Sequence, residues 1–181
     1  MRSITAALFL LLTGCASQPT SNYYQLPAAP VMADSAAAYT ASLYIEPVQV
    51  ASYLNSRGLV LQLSEVELVT ARGHLWAEPL DQQLQRQLRN RVVAQSSGYT
   101  AVLQAQPDTV RVSVQLDQFH GLADGYAIAS GRFAISGQSG SQPFSIRIAL
   151  TDDGYPALVQ ALGQAVQQLS QQISRQLAGT T

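Results

Sequence analysis

Lysine is absent from this 181-residue chain: all ten basic residues are arginine, set against eleven Asp and Glu. Charged residues make up only 12% of the sequence, and the formal net charge is −1. A nucleic-acid binder needs a basic face to release counterions, so that class of partner is excluded from the expectation. A polybasic grip on anionic lipid is excluded on the same ground. Cysteine occurs once, at Cys15, so no intramolecular disulfide and no cysteine-based metal site is expected. The two histidines, His74 and His120, stand far apart and lack the short spacing of a metal pair. No serine sits in a nucleophile elbow and no glycine-rich run forms a phosphate loop. No segment reaches the roughly 20 consecutive apolar residues of a membrane-spanning helix. The expectation is therefore a non-enzymatic protein with no cofactor and no metal.

What is present begins with the N-terminus. Arg2 precedes an apolar run, Ile4 to Leu12, which is too short to cross a bilayer. Two small residues, Thr13 and Gly14, then lead to the single cysteine. Leu12-Thr13-Gly14-Cys15 resembles the lipobox of bacterial lipoproteins. The resemblance implies that residues 1–14 are a signal peptide and that Cys15 becomes an acylated N-terminus carrying covalent lipid. Several acyl chains hold a domain stably on a membrane where one chain binds only marginally. In lipoproteins of this type an Asp after the cysteine retains the protein at the inner membrane. Here Ala16 follows, which implies the outer membrane, facing the periplasm.

Residues 15–42 read as the acylated N-terminus and a tether, interrupted by a short element at Tyr23-Tyr24-Gln25-Leu26. Residues 43–181 read as a single domain of ordinary size. Leu43 to Val50 is apolar with an alternation that slips one position at Pro47, the mark of a bulge or an edge. Gly58 to Val69 forms a hairpin or one bent strand, two readings the sequence leaves open. Arg72 to Leu80 reads as the approach to a helix opened by Pro79. Leu80, Leu84, Leu88 and Val92 make its apolar stripe. After a short strand at Tyr99 to Leu103, residues 109–151 alternate as a three-strand meander with turns at Gly121–Gly125 and Gly137–Gly140. Asp153 is expected to cap a second helix opened by Pro156. Its core stripe is Leu158, Leu162, Val166, Leu169, Ile173 and Leu177, and its outer face is rich in glutamine. That face is either solvated or a protein–protein surface.

Hairpins with two helices fit an α/β or an α+β arrangement equally well on these patterns alone. The series Tyr23-Tyr24-Gln25-Leu26-Pro27, Pro47-Val48, Tyr53-Leu54-Asn55 with Arg57, and Trp76-Ala77-Glu78-Pro79-Leu80 resembles the PqiC/YmbA-like family of ABC-type transport auxiliary lipoproteins. The resemblance covers nearly all of the chain after Cys15, except the small-residue segment between Leu26 and Leu43. It implies an α/β fold, a compact domain with a mixed β-sheet and two main amphipathic helices, similar to the TolB N-terminal domain. It also implies an auxiliary role beside an MCE-domain protein in lipid transport between membranes. Two other readings stand beside it, a lipid-binding periplasmic carrier and a structural envelope lipoprotein. Low charge and a glutamine face favour a homo-oligomer. Interface energy concentrates in aromatic and arginine anchors, so the candidate interaction residues are Tyr23, Tyr24, Tyr53, Arg57 and Trp76. Trp76 has a packing reading as well, because its indole buries a large area.

Cys15→Ala is expected to abolish incorporation of a fatty-acid label, since no second thiol exists. Metabolic labelling of wild type and variant checks this; label on the variant contradicts the lipid-anchor reading.

Overall fold

Strict alternation from Val110 to Leu116 builds the longest strand of the fold. A computed structural model describes residues 20–29 and 41–179; the lipobox-like run Leu12–Cys15 lies outside them. In chain order the elements are β1 (Asn22–Tyr24), β2 (Ala41–Ile45), β3 (Gln49–Val50), a 3-10 turn (Ser52–Asn55), β4 (Gly58–Gln62), β5 (Leu68–Trp76), α1 (Leu80–Gln95), β6 (Tyr99–Ala101), β7 (Val110–Leu122), β8 (Tyr126–Ile135), β9 (Gln142–Ala149) and α2 (Tyr155–Ala178).

The nine strands form one mixed sheet centred on β7. One edge of β7 is taken in parallel by β2, β3 and β4 in succession, and the other by β8, antiparallel, which in turn pairs with β9. The register to β7 slips by one residue between Ile45↔Val112 and Gln49↔Gln115. This is the bulge anticipated at Pro47: one extra residue lies on the short-strand side, and proline, lacking an N–H, sits where the ladder is broken. A second irregularity, between Leu116 and Gln118, faces Gly131. A Cβ on Gly131 would lie 2.0 Å from the Gln115 carbonyl oxygen, so only glycine allows the strands to close there.

The sheet splits beyond β7. At one end β2 pairs in parallel with β6. At the other, β4 pairs antiparallel with β5, and β5 pairs in parallel with β1. Gly58 to Trp76 is thus a hairpin, and Arg72–Trp76, expected to lead into the helix, is the second half of a nine-residue strand. The tether boundary at residue 42 also shifts. Tyr23 and Tyr24 lie opposite Leu75 and Trp76 in the sheet, and Leu26 is buried in the core, so the folded domain includes residues 22–28.

Alternation on β7, β8 and β9 puts Val112, Val114, Leu116, Phe133, Ile135, Phe144, Ile146 and Ile148 on one buried face. Arg111, Gln115, Arg132, Ser145 and Arg147 line the opposite, solvated face. Both helices cover the apolar face: α2 packs on β7, β8 and β9, while α1 packs on β2 and β6, and the two helices pack on each other. Every residue of the two leucine-rich stripes is buried. The cap expected from Asp153 is not made, because Gly154 (φ 96°) holds the N-cap position without a side-chain bond. Asp152 accepts from the Asp153 amide instead.

A polar stripe on α1 completes the packing. Gln83, Gln87 and Arg91 are buried one position off the apolar stripe. Gln83 Oε1 accepts the Leu26 amide at 2.8 Å, and Arg91 donates to the carbonyls of Pro27 and Ala28 at 2.7 and 3.3 Å. Arg91 also donates to Gln87 and, across to α2, to Gln167 at 2.5 Å. Burial lowers the pKa of its guanidinium, whose recorded partners are all neutral oxygens. On the other side Pro27 rests on Gly163 of α2, where a Cβ would come within 2.6 Å of the proline ring. The segment after β1 is therefore strapped over both helices.

Arg91→Met is expected to cost about 2 kcal/mol, the scale for leaving buried acceptors without a charged donor. Urea unfolding checks the loss, and hydrogen exchange should show the Leu26 amide losing protection before the meander does.

Candidate functional site

Four of the five residues proposed for interaction meet where β1, β5 and the chain leaving the 3-10 turn converge. The Trp76 amide donates to the Arg57 carbonyl at 2.6 Å, and the Ala77 amide donates to the Tyr24 carbonyl at 2.8 Å. Arg57 returns the contact: its guanidinium donates to the Trp76 carbonyl at 3.2 and 3.1 Å and to Ala77 at 2.8 Å. One side chain thus closes the end of β5. The same guanidinium lies 5.6 Å from the centre of the Tyr23 ring, which is 60% exposed. An exposed cation–π contact of this kind contributes roughly 0.5–1 kcal/mol and fixes the ring's orientation.

Tyr24 points to the other side of β1. Its hydroxyl is hydrogen-bonded to His74 Nδ1 at 2.8 Å, and the His74 ring stacks on Tyr155 with centroids 3.9 Å apart. This half-buried trio joins β1, β5 and the start of α2. Tyr53 stands apart, over the far end of β7. Its hydroxyl donates to the Asp117 carbonyl at 3.0 Å, and partial burial raises its pKa.

Trp76 is corrected by the structure. At 3% exposure it is a core residue packed near Phe119, and it has no surface to offer a partner. Its position at the inward-facing end of β5 is the reason, since the next residues turn into α1 over the apolar face. Of the five, Tyr23 is the exposed aromatic, and Arg57 presents it while holding the main chain.

The sequence reading missed a second surface. Leu63, Val66, Leu68 and Val69, at the tip of the β4–β5 hairpin, are all exposed, Val66 to 94%. The signal was there in the apolar–acidic alternation from Ser64 to Leu68, but nothing local says that no neighbour covers it. Titrating groups are sparse by comparison. Among the described residues no three His, Cys, Asp or Glu side chains gather to hold a metal. His120 is buried on β7, with Nδ1 3.1 Å from the Gly121 carbonyl and its ring 6.1 Å from that of Tyr53. Burial pushes its pKa down. Among the described residues, an open cleft of about 140 Å³ between β3, β7 and β8 is lined by Glu46, Gln49, Gln115 and Arg132. Another of about 320 Å³ lies at the ends of the helices beside Gln95, Gln171 and Arg175.

Residues 24–174, which span this domain from β1 to the last turns of α2, match the family described as the ABC-type transport auxiliary lipoprotein component. The chain belongs to that family. Proteins called intermembrane transport lipoprotein PqiC, from Escherichia coli (strain K12) and Shigella flexneri, are each 39% identical over 166 residues, covering 84% of both chains. The crystal structure of an uncharacterized protein superposes with a TM-score of 0.78 at 34% identity, covering 87% of this chain and 99% of that one. Protein XCC0632 from Xanthomonas campestris shares the fold, with a TM-score of 0.66 at 17% identity over 88% and 100% of the chains. Membership makes this an auxiliary lipoprotein of a transport system, placed at the cell envelope. No helix among the described residues is long and apolar enough to cross a membrane.

His120 gives a pH signature. With its folded pKa below the ordinary value of about 6.5, the unfolded chain binds the proton more readily. Its contribution to stability is complete above about pH 6.5 and is lost as pH falls toward the folded pKa. Thermal melts at about pH 7.5 and pH 5.5 should therefore show a smaller acid-side loss for His120→Gln than for the wild type.

Proposed function

We propose that this chain is an outer-membrane-anchored periplasmic lipoprotein, acylated at Cys15, that docks an MCE-type lipid transporter at the outer membrane without catalysis. The observation that carries the reading is the match to intermembrane transport lipoproteins across 84% of the chain. The lipobox and Ala16 support the anchor and its sorting. The two helix stripes pack into one buried apolar core with the sheet, which favours docking over a carrier that must enclose an acyl chain. Docking uses the exposed Tyr23 ring on its Arg57 platform, a pairing of the residue types that dominate interface energy. The domain works as a homo-oligomer, because a closed ring suits a protein that caps a tunnel, and low net charge weakens repulsion between copies.

The full chain, co-expressed with its MCE-domain partner, should fractionate with the outer membrane, co-purify with that partner and sediment as more than one chain. Tyr23→Ala should weaken co-purification at least tenfold, about 1.4 kcal/mol, with circular dichroism unchanged. His74→Ala and His120→Ala should leave the association nearly intact wherever the variants fold. Loss of function on either histidine change in a folded variant, with Tyr23→Ala silent, contradicts the docking reading.

A further inference from the structure

The β4–β5 hairpin ends in a folded projection. The Leu63 amide donates to the Glu67 carbonyl at 2.9 Å, and the Ala123 amide donates to the Gln62 carbonyl at 3.0 Å, so the turn is closed and braced from behind. Leu68, Val69 and Thr70 are exposed although successive side chains of a strand point to opposite faces. Neither face of the strand is covered there. Four large apolar side chains, Leu63, Val66, Leu68 and Val69, are thus held in water at one end of the domain. Contiguous exposed apolar patches mark contact surfaces.

The path of the N-terminus says what this end meets. Strands β1 and β5 are parallel, with Asn22 opposite His74. Followed backwards from Asn22, the chain runs toward the start of β5, which is the tip. Thr20 has already advanced that way: its carbonyl oxygen lies 3.7 Å from a Cβ placed on Gly73. Cys15 precedes Thr20 by five residues, which span at most about 17 Å when fully extended. From Gly73 to Leu68 is also five residues, about 17 Å of strand at 3.3–3.4 Å each. Cys15 therefore lies within about 17 Å of Thr20, the same length as the strand from Gly73 to the apolar tip. A bilayer that holds the acyl chains stands no farther from Thr20 than the hairpin extends.

We infer that the tip of the β4–β5 hairpin rests in the head-group region of the bilayer that holds the Cys15 lipid, placing Leu63, Val66, Leu68 and Val69 at its apolar boundary. This sets the domain's orientation on the membrane. The charged residues between Gln62 and Ala71 are Glu65 and Glu67, which flank Val66. Two carboxylates limit the depth of entry and select a zwitterionic over an anionic surface. The inference rests on acylation of Cys15.

The test uses the full acylated chain, in which Val66→Cys adds the one thiol free for an environment-sensitive fluorophore. In vesicles of phosphatidylcholine and phosphatidylethanolamine, the label at 66 should emit blue-shifted and brighter light and be quenched by nitroxide lipids. A Ser139→Cys label, on the β8–β9 turn at the other end of the sheet, should behave as in water. Adding phosphatidylglycerol, or Leu63→Ser with Leu68→Ser, should reduce the signal at 66. Mass spectrometry of the N-terminal peptide separates the two ways of failing. An acylated Cys15 with position 66 as aqueous as 139 overturns the membrane contact and leaves the anchor standing. A free Cys15 overturns both. A signal at 66 that needs the MCE-domain protein, and not lipid, assigns the tip to a protein partner and overturns the inference.

Discussion

Main-chain pairing along both edges of β7 is the constraint on which the rest depends. Thirteen residues pair with β8 over nearly their full length on one side. On the other they are met by three short parallel segments that are consecutive in sequence. None of those segments is long enough to be stable alone. Each gains its hydrogen-bonding partners from β7, and the residues that do not fit the register are expelled as the Pro47 bulge and the 3-10 turn at Ser52–Asn55. The expelled pieces are where the motif residues lie. Tyr53 sits on the turn, and Arg57 leaves it to clamp the ends of β1 and β5.

That placement explains why the conspicuous side chains are structural first. Arg57 closes the main-chain end of β5, Tyr24 and His74 join two strands to α2, and Trp76 fills the core. A residue can be fixed in a motif because the fold needs it and still hold a neighbouring ring at the surface, as Arg57 holds Tyr23. The strap from Leu26 to Ala28 extends the same economy to the helices. Its carbonyls are satisfied by Arg91, and Gly163 leaves room for its proline.

Family membership and geometry bear on different questions. Similarity to intermembrane transport lipoproteins identifies the class of work. The geometry separates the ends of the domain: the apolar tip, toward which the chain runs back from Asn22 to Thr20, lies at one end, the β8–β9 turn at the other, and a polar sheet face runs between them.

The sequence by itself determined the meander from β7 to β9, both helices and their core stripes, and the break at Pro47. Each rests on a local period of two or about 3.6 residues, or on the missing N–H of proline, and such signals need no knowledge of distant chain. The resemblance of Leu12–Cys15 to a lipobox is legible for the same reason, since it rests on four adjacent residues. Only the tertiary structure decided where the short strand at Tyr23-Tyr24 pairs, since its partners lie some fifty residues on in β5. It alone made Arg72–Trp76 a strand, because alternation there is blurred where one strand passes from the open tip into the core. It buried Trp76 and Arg91 and left Val66 bare, and no local pattern distinguishes these cases. Burial depends on what other segments bring to cover a side chain, and that is a property of the assembled sheet and helices.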